Sequence, residues 1–361
     1  MKSTRVLITL VTALIGGFVF NLLHIPIPWL LGPMIAVLLG SSVLKDKYEW
    51  PGMIRNTGMI IVGYTIGLSL TIAALKEMVH QFPYMLLMTT LLLLYCAGIA
   101  FLVSKLSKTD YKTALMGSIP GGLTQMIILA EDTKGINLTV VTVTQVVRLM
   151  MIVISIPLLI VSPIFSKTNE KSATTLPNIV TEQITWGSLF PNILIFVLVC
   201  VVCAIVGNKI NFPTAFLLGP AIGTAIVQNL GIHGPSLPVL IINIAQLMIG
   251  TYVGLLLKPN SLVNKVRTIS LSIGSGFLLI FGAMGLSYLL SLSQPISRAT
   301  ALLSLAPGGM DQMGVIAHEI HANLSFVAGY QLFRTFFIFF LVPPLLRMLF
   351  KISEKRHSEK G

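Results

Sequence analysis

Charged residues are scarce in this chain: they make up 10% of its 361 residues, and only 12 are acidic. Soluble domains carry about a quarter charged residues. A chain with so few cannot cover a folded core with polar surface, which excludes a soluble enzyme or a soluble DNA-binding domain. The 24 Lys and Arg residues give a net charge of +12, but they stand in short clusters between long uncharged runs. This pattern is typical of loops at an anionic membrane surface rather than of a nucleic-acid interface.

Residues that carry redox, metal or nucleotide chemistry are also few. The three cysteines, Cys96, Cys200 and Cys203, lie inside apolar runs, which indicates small buried side chains rather than a disulfide framework. The stretch HEIH at 318–321 lacks the spacing of a metalloprotease motif, and its two histidines supply only half of a metal-ligand set. The sequence has no glycine-rich phosphate loop, so ATP is not expected to drive the protein. We therefore expect no cofactor, no metal site and no enzyme activity.

Long hydrophobic runs dominate the rest of the chain. Residues 83–103, 238–257 and 268–292 contain no charge, and about 20 apolar residues suffice for a helix to cross a bilayer. Together with the shorter runs, they predict an all-α integral membrane protein with 10–12 membrane segments. The predicted organisation is a first membrane repeat at 1–165, a polar linker at 166–187, a second membrane repeat at 188–350 and a basic cytoplasmic tail at 351–361.

The two halves share sequence blocks in the same order, which indicates an internal duplication. The block NLLHIPIPWLLGP at 21–33 aligns without a gap with NKINFPTAFLLGP at 208–220, at an offset of 187 residues (208 − 21). The same offset places IPGGLTQM at 119–126 on APGGMDQM at 306–313. A QxxR motif follows in both halves at nearly the same offset. So many shared blocks are not expected by chance, and they predict two homologous helical repeats.

The distribution of positive charge favours inverted copies. If the Pro-Gly-Gly segments enter the membrane and return on the same side, each copy has an odd number of crossings. That layout leaves more Lys and Arg inside than a layout in which every segment crosses. It makes the loops at 45–55, 105–112 and 258–267 cytoplasmic. Both layouts place both termini in the cytoplasm, so we expect a multi-pass protein of the bacterial inner or plasma membrane.

The Pro-Gly-Gly blocks predict a break in one membrane helix of each half. Proline lacks an amide hydrogen and glycine does not hold a helix, so the stretches 118–125 and 305–312 should be unwound or kinked. Freed backbone groups in hydrocarbon must be buried in protein or line a wet cavity. Paired breaks in two repeats are a sequence indicator of a transporter's binding site. The alternative is that both breaks are only structural kinks or tight helix-crossing points.

An arginine near the middle of an apolar segment in each half supports the binding interpretation. Burying Arg148 or Arg334 at mid-depth costs about 2.5–3.5 kcal/mol, and Gln145 and Gln331 lie one turn earlier on the same helix face. Such cations beside unwound helix ends suit an anionic ligand. The alternative is structural pairing with a carboxylate, the candidates being Glu131, Asp132, Asp311 and Glu319. The predicted substrate-binding residues are Pro120, Gly121, Gly122, Thr124, Gln125, Gln145, Arg148, Pro307, Gly308, Gly309, Asp311, Gln312, Gln331 and Arg334.

The paired LLGP and PGG blocks with the downstream QxxR motifs resemble the membrane AbrB-like family, also called AbrB duplication proteins. The resemblance covers nearly the whole chain. It implies a link to regulation of gene expression, and one label used for this family implies an ammonia monooxygenase. The family is also distantly similar to inverted-repeat secondary transporters, whose broken helices cross at mid-membrane. That similarity is one of fold.

Three functions are therefore compared. A secondary transporter of a small, anionic solute explains the repeat, the breaks and the arginines, with H⁺ or Na⁺ as its coupling ion. A membrane sensor that alters gene expression would need a soluble output surface, yet the basic tail is short. A membrane monooxygenase would need clustered metal ligands, whereas the 6 histidines are scattered. The expected partners are the solute, the coupling ion and the lipid bilayer, with no nucleic acid; a homodimer is left open.

Overall fold

The computed structural model of the protein describes residues 2–44, 47–107, 109–121, 126, 130, 133, 135–162, 192–210, 212, 214–256 and 265–358. These residues contain fourteen helices and no strand. The helices of the first half are α1 (Lys2–Leu22), α2 (Pro28–Val43), α3 (Gly52–Ser69), α4 (Ile72–His80), α5 (Phe82–Ser107), α6 (Tyr111–Ser118) and α7 (Leu138–Val161). Those of the second half are α8 (Asn192–Lys209), α9 (Ala215–Asn229), α10 (Val239–Leu256), α11 (Lys265–Ser293), α12 (Arg298–Leu305), α13 (Met310–Glu319) and α14 (Leu324–Ser358).

Half of these fourteen helices are suited by themselves to cross a membrane. Within the described residues, seven are long and apolar enough to cross it, and an eighth span is obtained if α3 and α4 are taken together. The two are bent by 82° at a short break, after which Thr71 caps the first turn of α4. The apolar helices α2 and α9 are shorter, with 16 and 15 residues. The predicted all-helical membrane class is confirmed, while the predicted linker at 166–187 lies outside the described residues.

Several helix bounds recur at the offset found in the sequence. The bounds of α3 and α10 differ by 187 residues at both ends, and so do those of α6 and α12. Each LLGP helix, α2 and α9, begins after a non-glycine residue with positive φ, Ile27 at 53° and Thr214 at 46°, which again lie 187 residues apart. Equivalent segments thus adopt equivalent local structure. The orientation of the halves across a membrane stays a prediction.

The helices form two groups, and each group draws on both halves of the chain. The first group contains α1, α2 and α3 with α8, α9 and α10; the second contains α4, α5, α6 and α7 with α11, α12, α13 and α14. Most packing occurs within a group, and the contacts that join the groups are few, chiefly those of α3 with α13 and α14. The site described below lies where these groups meet.

Helices of the first group cross closely between the two halves. α3 of the first half packs on α9 of the second half, and α10 of the second half packs on α2 of the first half. A Cβ atom at Gly63 would collide with the Leu217 carbonyl oxygen, and one at Gly250 would collide with that of Leu30. Glycine is therefore required at both crossings because the obstacle is backbone, which cannot move aside.

Each Pro-Gly-Gly block ends a short helix. α6 ends at Ser118 and α12 ends at Leu305, two residues before Pro120 and Pro307 respectively. The residue before each proline is extended, with ψ of 129° at Ile119 and 123° at Ala306, because a following proline disfavours the helical conformation. The predicted break is therefore present in both halves, but it is shorter than predicted in the second, because 310–312 already belong to α13. In the first half, 122–125 lie outside the described residues.

Candidate functional site

In the first half, Arg148 and Gln145 of α7 cap the broken end of α6. Arg148 Nη1 donates to three successive carbonyl oxygens at 3.0–3.1 Å, and Gln145 Nε2 donates to two at 2.7 and 3.0 Å. Arg148 Nη2 also donates to Gln145 Oε1. The acceptors belong to Met116, Gly117, Ser118 and Ile119. These carbonyls have no intrahelical partner where a helix ends, and a cation suits the negative end of its dipole.

The second half repeats this arrangement with Arg334 and Gln331 of α14. Arg334 Nη1 donates to carbonyl oxygens at 2.7 and 3.3 Å, Arg334 Nη2 donates to another at 3.0 Å, and Gln331 Nε2 donates at 2.7 and 3.2 Å. Arg334 Nη2 also donates to Gln331 Oε1. The acceptors belong to Leu303, Leu305, Ala306 and Gly308. We call each QxxR pair with its carbonyls a carbonyl clamp.

The carbonyl clamps differ from the carboxylate pairing that the sequence left open. Among the described residues, the hydrogen-bond partners of both arginines are backbone carbonyls and a glutamine, and neither Asp311 nor Glu319 is one of them. Glu131 and Asp132 lie outside the described residues. The carbonyl clamp thus explains why a buried arginine accompanies each break: it satisfies backbone groups that hydrocarbon cannot.

A cavity of about 270 Å³ lies between the two helix groups and is lined by both breaks. Pro120 and Gly121 of the first break line it together with residues 307–312 of the second. Arg148 and Arg334 line it as well, and both are nearly fully buried. The structure therefore brings the predicted residues Pro120, Gly121, Gln145, Arg148, Pro307, Gly308, Gly309, Asp311, Gln312 and Arg334 to one place. Their role in binding stays a prediction.

Four predicted residues do not appear in the lining of this cavity. Gly122, Thr124 and Gln125 lie outside the described residues. Gln331 is fully buried behind Arg334, where it supports the second carbonyl clamp. Its role in the structure is to orient the arginine rather than to face the cavity.

The cavity also contains residues that the sequence reading did not select. The first helix group contributes Arg55 from α3, Tyr252 from α10 and the first residues of α9. The Arg55 guanidinium lies 4.7 Å from the centroid of the Tyr252 ring. The sequence pattern assigns Arg55 to the loop at 45–55, whereas the structure places it in α3. The alignment of the two halves contains a signal for Arg55: the matching position of the second half is Ile242, so the charge is found in one half and not in the other.

The lining is asymmetric in charge. Three arginines, Arg55, Arg148 and Arg334, face one carboxylate, Asp311, among the described lining residues. Arg55 interacts electrostatically with Asp311 across the cavity. The first turn of α13, which carries Asp311, begins at the cavity, so the positive end of its dipole is there too. The cavity is therefore electropositive overall and suits an anion.

Metal ligands are not clustered in this part of the chain. Among the described residues, no group of three or more His, Cys, Asp or Glu side chains could hold a metal ion.

The helices and the buried cavity define a polytopic helical membrane protein. The model of the family described as "Transition state regulatory protein AbrB" matches residues 29–350. The chain belongs to this AbrB family.

Two relatives match over almost their whole length. The Bacillus subtilis (strain 168) "Uncharacterized protein YhjN" is 26% identical over 363 residues, which cover 96% of this chain and 93% of the relative. The Escherichia coli (strain K12) "Putative regulator AbrB" is 27% identical over 352 residues, which cover 96% of this chain and 97% of the relative.

Proposed function

We propose that the protein is a secondary transporter of a small anionic solute, which binds in the cavity between the two helix groups. The observation that carries the proposal is that both helix breaks and both buried arginines line one cavity. Broken helices at matching positions of two repeats are where transporters bind their solutes. The few contacts between the groups also favour a relative movement that leaves the packing within each group intact.

The charge of the cavity supports an anion as the solute. Among the described residues, neither arginine of the carbonyl clamps has a carboxylate as a hydrogen-bond partner, and Arg148 Nε is buried without any hydrogen-bond partner. Arg55 adds a third cation to the lining, and its guanidinium makes no hydrogen bond to a backbone carbonyl among the described residues. The volume of about 270 Å³ suits a small metabolite, since pockets for drug-sized ligands start near 300 Å³.

The family description and the name of the Escherichia coli relative favour a second function, a membrane regulator of gene expression. A regulator that senses a solute would use the same cavity to bind it. The two functions differ in one respect: a transporter carries the bound solute across the membrane, whereas a sensor only binds it.

Binding is tested first by thermal unfolding of the purified protein. The probes are acetate, lactate, succinate, glutamate, phosphate and sulfate, each compared with chloride at equal ionic strength. We expect one of them to raise the melting temperature, because a ligand that binds only the folded state stabilises it. Arg55→Gln should weaken that anion's binding about 10- to 100-fold, as loss of a charge-assisted contact does. Arg5→Gln, which changes an arginine outside the cavity lining, is the control.

Transport is then tested by counterflow in proteoliposomes that contain the stabilising anion. Exchange of the radiolabelled anion by the wild type, reduced in Arg55→Gln, is the expected result. Binding without exchange would replace the transporter by a sensor. No stabilisation by any anion would refute an anionic solute from this panel.

A further inference from the structure

Gly309, Asp311 and Gln312 form a small oxygen-lined space at the second break that the carbonyl clamps do not use. Gln312 Nε2 donates to Asp311 Oδ2 at 2.9 Å. This hydrogen bond sets the orientation of the Gln312 amide group, because the carboxylate oxygen can accept from the amide nitrogen and not from the amide oxygen. The remaining oxygens, Asp311 Oδ1 and Gln312 Oε1, both approach Gly309, where a Cβ atom would collide with each of them.

One of these two oxygens lacks a partner although it is buried. Gln312 is 3% exposed, and its Oε1 accepts no hydrogen bond within the part of the chain that the structure describes. A buried acceptor without a donor costs free energy unless something satisfies it. Asp311, which supplies the other oxygen, is also buried. The Asp311 carboxylate accepts hydrogen bonds from the backbone N–H groups of Asp311 and Gln312, whereas Gln312 Oε1 accepts none among the described residues. A cation between the two oxygens would satisfy the amide oxygen and neutralise the carboxylate.

Gly309 itself points to a need for space. Its φ of −74° and ψ of 147° are values that any residue adopts, so backbone conformation does not require glycine here. What requires glycine is the position of the two oxygens, since any larger residue would displace them. The neighbouring Gly308 differs, because a Cβ atom there meets Met313 Cε at 2.8 Å and Ile152 Cγ2 at 3.1 Å rather than either oxygen.

We propose that Asp311 Oδ1 and Gln312 Oε1 bind a small alkali cation, Na⁺ in size, beside Gly309. Carboxylate and amide oxygens are the hard ligands that such ions prefer. The site belongs to the second half alone, because Thr124 stands at the position matching Asp311. This inference deepens the proposed function, since it supplies the atoms that bind the coupling cation.

The charges around the site link the cation to an anionic solute. The side chains that face Asp311 across the cavity are Arg55 on α3, Arg148 on α7 and Arg334 on α14. Arg55 lies near enough to Asp311 for an electrostatic attraction between the two side chains. A cation bound at Asp311 satisfies that carboxylate and leaves the Arg55 charge available to an anion. Each ligand should therefore bind more tightly in the presence of the other, and by the same factor.

The site is tested through the melting temperature of the purified protein in detergent. Choline chloride is replaced stepwise by NaCl, LiCl or KCl at constant total chloride. In the wild type we expect NaCl or LiCl to raise the melting temperature with the logarithm of its concentration. Asp311→Asn and Gly309→Ala should lose this shift. Gly285→Ala on α11 is the control and should keep it, because an added methyl group there meets nothing within 4 Å.

Two results would overturn the cation site: equal melting temperatures of the wild type in all four salts, or a sodium shift that survives in both Asp311→Asn and Gly309→Ala. Gly309→Ala should still fold, because the atoms in its way are the ends of side chains. If neither variant folds, equilibrium dialysis of the wild type with radioactive sodium decides, and absence of saturable binding refutes the proposal. Sodium binding without counterflow would keep this site while refuting transport.

Discussion

Replacing Arg334 by lysine tests whether the guanidinium holds the second helix break in place. Arg334→Lys keeps the positive charge but removes the planar fork that reaches several carbonyls at once. Two acceptors, the carbonyl oxygens of Leu305 and Gly308, have no other side-chain donor among the described residues. The Ala306 carbonyl keeps the hydrogen bond from Gln331. The variant therefore isolates the geometry of the carbonyl clamp from its charge.

The expected loss follows from these two acceptors. A buried carbonyl left without a partner costs about 1–3 kcal/mol, and the lysine ammonium can reach one of the two from a single point. We therefore expect Arg334→Lys to lower the free energy of unfolding by about 1–3 kcal/mol. Arg334→Gln leaves both carbonyls without a partner, which should lower the free energy of unfolding by about 2–6 kcal/mol. Removal of a charge from the middle of an apolar segment offsets this loss by about 2.5–3.5 kcal/mol. Lysine should thus be no better tolerated than glutamine, although it keeps the charge.

The assay is unfolding of the purified protein in mixed micelles with a rising fraction of sodium dodecyl sulfate, followed by circular dichroism. Arg298→Lys is the control, because Arg298 lies over the Tyr288 ring at 5.5 Å and makes no carbonyl clamp. Arg298 is half-buried, and weakening its contact with one aromatic ring should cost less than about 1 kcal/mol. If Arg334→Lys proves as stable as Arg298→Lys, the carbonyl clamp does not hold the break and the reasoning fails.

Three further predictions follow from the fold and the charge pattern. Gly63→Ala and Gly250→Ala should each destabilise by about 1–3 kcal/mol in the same unfolding assay, because the added carbon meets a backbone oxygen; Gly98→Ala, with nothing within 4 Å, is the control. Gln145→Leu should destabilise as well, because the Met116 carbonyl loses its side-chain donor, and equal stability of the variant and the wild type would count against the first carbonyl clamp. Single cysteines in the loops at 45–55, 105–112 and 258–267 of a cysteine-free variant should resist an impermeant thiol reagent in intact cells, whereas labelling of the 258–267 loop alone would contradict inversion.

The helices and their breaks could be predicted because apolar runs and proline act locally. A following proline disfavours the helical conformation, and in both blocks two glycines come next, so the ends of α6 and α12 are expected near Pro120 and Pro307. Proline alone does not decide this, because Pro33, Pro157 and Pro220 stand inside helices. The bend of 82° between α3 and α4 was not predicted, because its sequence at 69–72 contains no proline or glycine.

The partners of the buried arginines could not be predicted in the same way. The sequence identifies side chains only, and the side chains that pair with an arginine are carboxylates. The acceptors in both carbonyl clamps are backbone oxygens, which every residue carries and no letter of the sequence marks. The sequence likewise predicts that Gly309 breaks the helix through its backbone freedom, but its φ of −74° is one that any residue adopts. The absence of a side chain is what the structure requires at Gly309, because a Cβ atom would collide with the oxygens of Asp311 and Gln312.

The exchange of helices between the halves has a consequence for synthesis of the protein. Gly63 on α3 meets Leu217 on α9, and about 150 residues separate them in the chain. At roughly 5–20 residues per second, a ribosome needs on the order of 10–30 s to add that length. During this interval the glycine face of α3 lies against lipid or the insertion machinery. The first half of a nascent chain is therefore in the membrane before its own second half has been synthesised. In a crowded membrane, the first half can pair with the second half of another chain instead.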